Sequence, residues 1–262
     1  MEKGDKKQLF VPFSDCEHKV MEREYHKWFS PNLRRNMELL VFGHAGAKVL
    51  LFPTRTARFY DYENWKVIDS LRHHIEQGWI QLYCLDSIDQ ESFYCFWAHP
   101  QGRIFRHIEY EEYILNEVIP LANQKNLNPF FMSVGCSMGA FHAVNIAFRH
   151  PHLFGKVIAL SGRYDLTLNL GLYYDLLDGY YSDHVYFNSP SHFMPNIPDS
   201  EQLHHLRKLQ ITIVCGKEDV FIQNNREFSQ CLFNKGVDHQ FHEWDGQAHK
   251  AKYWKQMLPM YI

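Results

Sequence analysis

The pentapeptide Gly135-Cys136-Ser137-Met138-Gly139 places a serine between two glycines. It follows the apolar run Phe130-Phe131-Met132-Ser133-Val134 and opens a segment of helical spacing, Met138 to Arg149. A strand that turns this sharply into a helix strains the backbone of the serine, and side chains at the flanking positions would clash; glycine removes them. The turn presents the hydroxyl at a helix N-terminus, where backbone N–H groups and the helix dipole favour a developing oxyanion. Such a serine is suited to attack on an acyl carbon.

A serine hydroxyl is a weak nucleophile until a base takes its proton, and the base needs an orienting acid. In a strand-turn-helix setting the partners follow in the order acid then histidine, each in a loop after a later strand. Ile211-Thr212-Ile213-Val214-Cys215 runs into Gly216-Lys217-Glu218-Asp219, and Gln240-Phe241-His242-Glu243-Trp244 runs into Asp245-Gly246-Gln247-Ala248-His249. With 17 histidines in the chain, His249 is selected by position. His242 falls inside the last strand, His142 one turn into the helix after Ser137, and His150 beside that helix's end. Asp219 is the favoured acid; Glu218 beside it and Asp165, which follows the strand Lys156 to Leu160, stay open. An oxyanion site needs two N–H donors. Met138 supplies one, and the loop Pro53-Thr54-Arg55-Thr56-Ala57-Arg58 the other; proline has no N–H, so the candidates are Thr54 and Arg55. Arg55, Arg58 and Trp97 are candidate substrate contacts. No metal or cofactor is expected: the adjacent pairs His73-His74 and His204-His205 diverge on a helix, His239 and His242 point to opposite faces of a strand, and no H-E-x-x-H occurs.

The elements that must hold these residues alternate. Lys19 to Phe29 reads as a half-exposed edge strand. Met37 to Phe42 and Lys48 to Phe52 follow, with Gly43-His44-Ala45-Gly46 between them as a hairpin turn. Asn64 to Gln77 reads as a helix, Ile80 to Leu85 as a buried strand, and Tyr110 to Gln124 as a helix interrupted or ended near Pro120. Beyond the strand and helix around Ser137 come the strands Lys156 to Leu160, Gln210 to Cys215 and Asp238 to Trp244. The helices Phe221 to Asn234 and Ala251 to Met260 complete the pattern. It predicts one α/β domain over residues 1–262: a mostly parallel central sheet with an antiparallel N-terminal edge and helices on both faces. Two aromatic-rich segments, 88–107 and 166–198, break the rhythm; they are expected above the sheet's carboxyl edge, where α/β folds bind ligands.

Composition narrows the class of partner. The chain has 262 residues, 45% hydrophobic and 22% charged, with 27 Lys+Arg against 30 Asp+Glu. This is a globular composition, and a net charge of −3 makes no electrostatic case for nucleic acid. No apolar run approaches the roughly 18 residues of a membrane span. The charged start Met1 to Lys7, followed by only Leu9-Phe10-Val11, does not resemble a signal-peptide core. The six cysteines are scattered without a C-x-x-C pair and read as reduced thiols. The expectation is a soluble cytoplasmic protein acting on a small molecule, with its oligomeric state open.

The stretch from Gly135 to Gly162, with Gly135-Cys-Ser-Met-Gly139 at its head, resembles the Putative esterase family of α/β-hydrolases. That family includes esterase D-like S-formylglutathione hydrolases, feruloyl esterases and the antigen 85 mycolyltransferases. Gly246-Gln247-Ala248-His249, followed by Tyr253-Trp254 and Leu258, is similar to its histidine motif. The resemblance covers about residues 49–262 and implies an α/β-hydrolase fold with Ser137 as nucleophile, Asp219 as acid and His249 as base. Members often carry a His-Gly-rich stretch after the third strand; this chain has Phe52-Pro53-Thr54-Arg55 there. The activity implied is cofactor-independent hydrolysis of a carboxylic ester. An acyltransferase or thioesterase using the same residues is an alternative, as is a catalytically silent binding protein.

Overall fold

In the computed structural model, which describes residues 21–262, β1 (Arg23–Ser30) and β2 (Arg35–Phe42) pair antiparallel. β1 alternates between exposed and half-buried positions along nearly its whole length, as an edge strand must. Residues 19 and 20 of the expected edge strand lie outside the described residues. β3 (Ala47–Phe52), β4 (Ile80–Leu85), β5 (Phe131–Cys136), β6 (Lys156–Leu160), β7 (Gln210–Gly216) and β8 (Gln240–Trp244) complete an eight-stranded sheet in the order β1-β2-β4-β3-β5-β6-β7-β8. From β4 to β8 every neighbouring pair is parallel. β3, β4 and β5 are buried along their whole length, which is why they read as mostly apolar runs, each with one polar residue, Lys48, Gln81 or Ser133.

The expected hairpin between β2 and β3 does not form. β4 inserts between them, antiparallel to β2 and parallel to β3. The glycines of the connection serve that close approach. A Cβ on Gly46 would lie 2.2 Å from the carbonyl of Trp79, and one on Gly43 would lie 2.8 Å from Ile75 Cγ2 and 3.1 Å from the Ile80 carbonyl. Both have φ near +92°, which glycine tolerates. The Ala47 amide then donates to the Trp79 carbonyl at 2.9 Å, starting the β3–β4 pairing.

Two helices also differ from expectation. Residues 64–77 are not one helix but belong to three short ones, α1 (Asp61–Asn64), α2 (Val67–Ser70) and α3 (Arg72–Glu76), broken at Lys66 with φ +62°. Their buried Tyr62, Val67, Ile68, Leu71 and Ile75 join Trp254, Met257 and Leu258 of the last helix on one face of the sheet. The helix expected from Tyr110 begins ten residues earlier, as α4 (Pro100–Tyr113), with Pro100 in its first turn and His99 Nδ1 accepting from the Gln101 amide. It continues through a π-helical turn (Ile114–Val118) into α5 (Ile119–Lys125), so Pro120 neither interrupts nor ends it. The wider turn falls just before the residue that cannot donate to the helical ladder.

The other helices are α6 (Met138–Arg149), α7 (Asp183–Phe187), α8 (Pro190–Phe193), α9 (Glu201–Leu206), α10 (Ile222–Asn234) and α11 (Ala251–Tyr261). α4 to α6 and α10 cover the sheet face opposite α1–α3 and α11. α6, the helix after Ser137, is buried from Met138 to Phe148. The two aromatic-rich segments pack on its first turns: Phe93 and Ile104 from one, and Leu166, Leu176, Leu177 and Val185 from the other, cluster with Met138 and Phe141.

His107 of α4 is enclosed by this packing beside Phe93, Phe141 and His142, with Nε2 3.2 Å from Asn145 Nδ2 and Nδ1 without a hydrogen-bond partner among the described residues. Burial, aided by the neighbouring His142, lowers its pKa from 6.5 to about 3. The folded chain keeps this imidazole neutral where the unfolded chain already binds a proton. Its contribution is complete above pH 6.5 and is lost as pH falls toward 3. Denaturant midpoints measured between pH 7 and 4 are expected to show stability falling by up to about 1.4 kcal/mol per pH unit from this one proton. Glu111 adds to the loss below about 4.5: burial raises its pKa, but His150 and Arg149 together hold it at about 2. His107→Gln should flatten the profile between pH 6.5 and 4.5; an unchanged slope there would refute this assignment.

Candidate active site

Ser137 sits at the end of β5 with φ +56° and ψ −122°, a conformation that costs of order 1–3 kcal/mol for a residue with a side chain. The surroundings hold it there. The Ser137 amide donates to the Leu160 carbonyl of β6 at 2.8 Å. A Cβ on Gly135 would lie 2.1 Å from the Gly139 carbonyl, and one on Gly139 would lie 2.3 Å from the Phe52 carbonyl. Both glycines are therefore required, the first so that strand and helix can meet and the second so that α6 can rest on the end of β3. Tyr62 of α1 locks the same junction, donating to the Phe52 carbonyl at 3.0 Å and accepting from the Cys136 amide at 3.2 Å. The neighbouring Cys136 thiol is buried, which pushes its pKa up to about 12 and leaves it no rival to the serine.

His249 follows β8 and Asp219 follows β7. His249 Nε2 lies 2.8 Å from Ser137 Oγ, and its Nδ1 lies 2.7 Å from Asp219 Oδ2. The other carboxylate oxygen of Asp219 accepts from the Phe221 amide at 3.0 Å. The two loops brace each other: the Glu218 amide donates to the Gly246 carbonyl, and a Cβ on Gly216 would strike the Gln247 carbonyl at 2.1 Å. Asp219 is buried and bonded to His249, whereas Glu218 is exposed. Asp165 is engaged apart from His249, accepting from Thr167 and pairing with His192 at 3.0 Å.

The Ser137 hydroxyl faces a cleft of about 250 Å³. Thr54 and Arg55 line it on one side, beside Met138, whose amide is in the first turn of α6 and has no carbonyl one turn earlier to bond. The next amide of that loop, Thr56, donates to Asp89 Oδ2 at 2.8 Å, and Asp89 Oδ1 lies 3.2 Å from His142 Nε2. A buried carboxylate thus ties the loop to α6. Tyr94 and Tyr173, one from each aromatic-rich segment, line the cleft with Arg163, Phe221 and Trp254.

Two expected substrate contacts lie elsewhere. Arg58 pairs with Asp86 at 2.7 Å and Glu38 at 2.8 Å, joining the loop to β2 and to the end of β4 rather than lining the cleft. Trp97 is 83% exposed and outside it. Conversely, Tyr62, Asp89, Arg163 and Phe221 were not singled out from the sequence. No local pattern marks them: Tyr62 and Asp89 act on segments remote along the chain, and Arg163 and Phe221 reach the cleft only once their loops converge on it.

A family model described as "Putative esterase" matches residues 63–261. The chain belongs to the Putative esterase family. Among curated proteins it is 23% identical over 172 residues to the uncharacterized protein YjcH of Bacillus subtilis, covering 61% of this chain and 60% of that one. The chain therefore spans less than two thirds of the length of this relative. Among solved structures, a ferulic acid esterase superposes with a TM-score of 0.73 at 19% identity, over 92% of this chain and 96% of that one. An S-formylglutathione hydrolase from Agrobacterium tumefaciens gives 0.66 at 14% identity, over 92% and 94%. These likenesses identify the fold as that of the α/β-hydrolases. Among the described residues of this esterase-family chain, no helix is long and apolar enough to cross a membrane.

Proposed function

We propose that this chain is a serine esterase that cleaves carboxylic esters of small molecules through an acyl-enzyme on Ser137. The observation that carries this reading is the continuous hydrogen-bonded line from Ser137 Oγ through His249 to Asp219, opening on a cleft. Nothing in folding requires those three side chains to meet.

The geometry supports the following reaction. Ser137 Oγ attacks the ester carbonyl carbon while His249 Nε2 takes its proton, and Asp219 holds the imidazole with Nδ1–H directed at Oδ2. The tetrahedral oxyanion accepts from the Met138 amide and from the amide of Thr54 or Arg55, donors that do not reorganise as charge develops. Collapse breaks the bond to the alcohol oxygen, which leaves with the proton from His249. Water then attacks the acyl-enzyme, giving its proton to His249, and the carboxylic acid departs as Ser137 regains its hydrogen. Every proton is handled by one imidazole.

The cleft volume limits the acyl group. About 250 Å³ lies below the roughly 300–1,000 Å³ of sites that enclose drug-sized ligands. With p-nitrophenyl esters from acetate to octanoate, kcat/KM is expected to peak at butyrate or shorter. It should fall at least about tenfold by octanoate, whose longer chain exceeds what a cleft of this volume encloses. An optimum at octanoate would contradict this reading of the cleft. Hydrolysis with methanol added, followed by product analysis, separates esterase from acyltransferase: free acid in excess of methyl ester supports the former.

A further inference from the structure

Arg163, in the loop after β6, is only 4% exposed and lines the cleft beside Ser137. Its Nε donates to the Asp165 carbonyl, and its Nη2 lies within 3.0 Å of the carbonyls of Leu166, Leu168 and Tyr174. Its Nη1 has no acceptor among the described residues. A guanidinium stays charged even when buried, and a buried charge is costly without a counter-charge. No carboxylate among the described residues pairs with it. Asp165 is occupied by His192 and Thr167, and Asp175 accepts from the amides of Leu177 and Gly179. Burial lowers the pKa of Arg163, although Tyr94, Asp165 and Asp175 nearby act to raise it.

The loop that carries Arg163 is held independently of that side chain. Asn225 of α10 donates to the Gly162 carbonyl at 2.7 Å, and the Tyr164 amide donates to Asn224 Oδ1 at 2.8 Å. A second cation, Arg55, lies over the ring of Tyr94 at 5.6 Å and lines the same cleft. Among the described residues no acidic side chain lines that cleft. Glu218 and Asp219 border an adjoining hollow that shares Tyr173 and His249 with the cleft. The lining of the cleft therefore carries two cations, one of them with an N–H group unengaged among the described residues.

We propose that the ester cleaved at Ser137 carries a carboxylate, which the Nη1 of Arg163 binds from within the cleft while Arg55 attracts it from the mouth. This rests on the esterase reading and specifies its substrate class. An anion placed there supplies the direct ion-pair partner that Arg163 lacks among the described residues, through a charge-assisted hydrogen bond that a neutral ester cannot make.

The test compares matched charged and neutral esters. Monoethyl succinate against ethyl 4-methylpentanoate places the carboxylate on the acyl side; 4-acetoxybenzoate against 4-acetoxybenzamide places it on the alcohol side. For one pair, wild-type kcat/KM should favour the charged ester by about tenfold or more. Arg163→Gln should lower that preference by about 30-fold, chiefly through KM, as loss of a hydrogen bond to a charged group implies. Arg55→Gln, at an exposed position, should lower it by about threefold to tenfold, with the preference also shrinking as salt is added. A preference near unity in wild type for both pairs would overturn the proposal. So would equal losses on charged and neutral esters in both variants, the signature of a purely structural arginine. Should no ester be turned over at all, the esterase reading falls. Calorimetry of the Ser137→Ala chain with succinate and with 4-hydroxybenzoate then decides the anion site: binding lost in the double variant with Arg163→Gln supports it, and no binding overturns it.

Discussion

Ser137→Ala is expected to lower kcat for p-nitrophenyl butyrate by about 10⁴-fold to 10⁶-fold, the range for losing a nucleophile that acts as a unit with its base. The residual rate over water would come from binding and the oxyanion donors alone. The fold should survive. Alanine inherits the same strained φ of +56°, and the substitution removes the 2.8 Å hydrogen bond to His249, worth about 1 kcal/mol. The measurement pairs steady-state hydrolysis with fluorophosphonate labelling followed by peptide mass analysis. Wild type should carry the phosphonate on Ser137, and the variant should carry none. Hydrolysis undiminished in the variant would remove Ser137 from the chemistry. An inert wild type that does not label would favour a binding role on the same fold.

Asp219→Asn should cost about 10³-fold to 10⁴-fold in kcat, and Asp165→Asn less than about threefold. The difference follows from what each carboxylate accepts. Asp219 takes hydrogen bonds from two donors, the Phe221 amide on Oδ1 and His249 Nδ1 on Oδ2. Asparagine has only one oxygen for them. If its oxygen turns to Phe221, its NH₂ faces His249 and selects the tautomer with the proton on Nε2, which cannot accept from Ser137. If its oxygen turns to His249, the NH₂ opposes the Phe221 N–H, and the acid loop must shift. Asp165 holds Thr167 of its own loop and His192 of α8, so its loss strains that region without touching the His249 imidazole. Comparable kcat losses in the two variants would refute the assignment of Asp219 as the orienting acid.

Much of this site was legible in the residues because its demands are local. The Gly135 and Gly139 positions are dictated by contacts within a few residues of Ser137 and by one carbonyl of β3. The order of serine, acid and histidine follows from parallel strands that each end in a loop at the same sheet edge. The buried strands announced themselves as apolar runs because helices cover both faces of the sheet. Alternation in β1 marked an edge for the converse reason. Where one side chain's environment was set by a segment far along the chain, the reading failed or stayed open. Arg58 looked like a cation for a substrate and instead meets Glu38 and Asp86. The glycines at 43 and 46 looked like a hairpin and instead admit β4.

By itself, then, the sequence determined which residues would be buried in strands, where the chain turns sharply, and that Ser137 stands at such a turn. Only the tertiary structure decided that β4 separates β2 from β3, that His249 meets Asp219 rather than Asp165, and that Arg163 lines the cleft without an ion-pair partner among the described residues. The physical reason is that periodicity and glycine placement report the local backbone and its burial. Pairing partners and compensated charges depend on distances closed only when remote loops converge on one edge of the sheet.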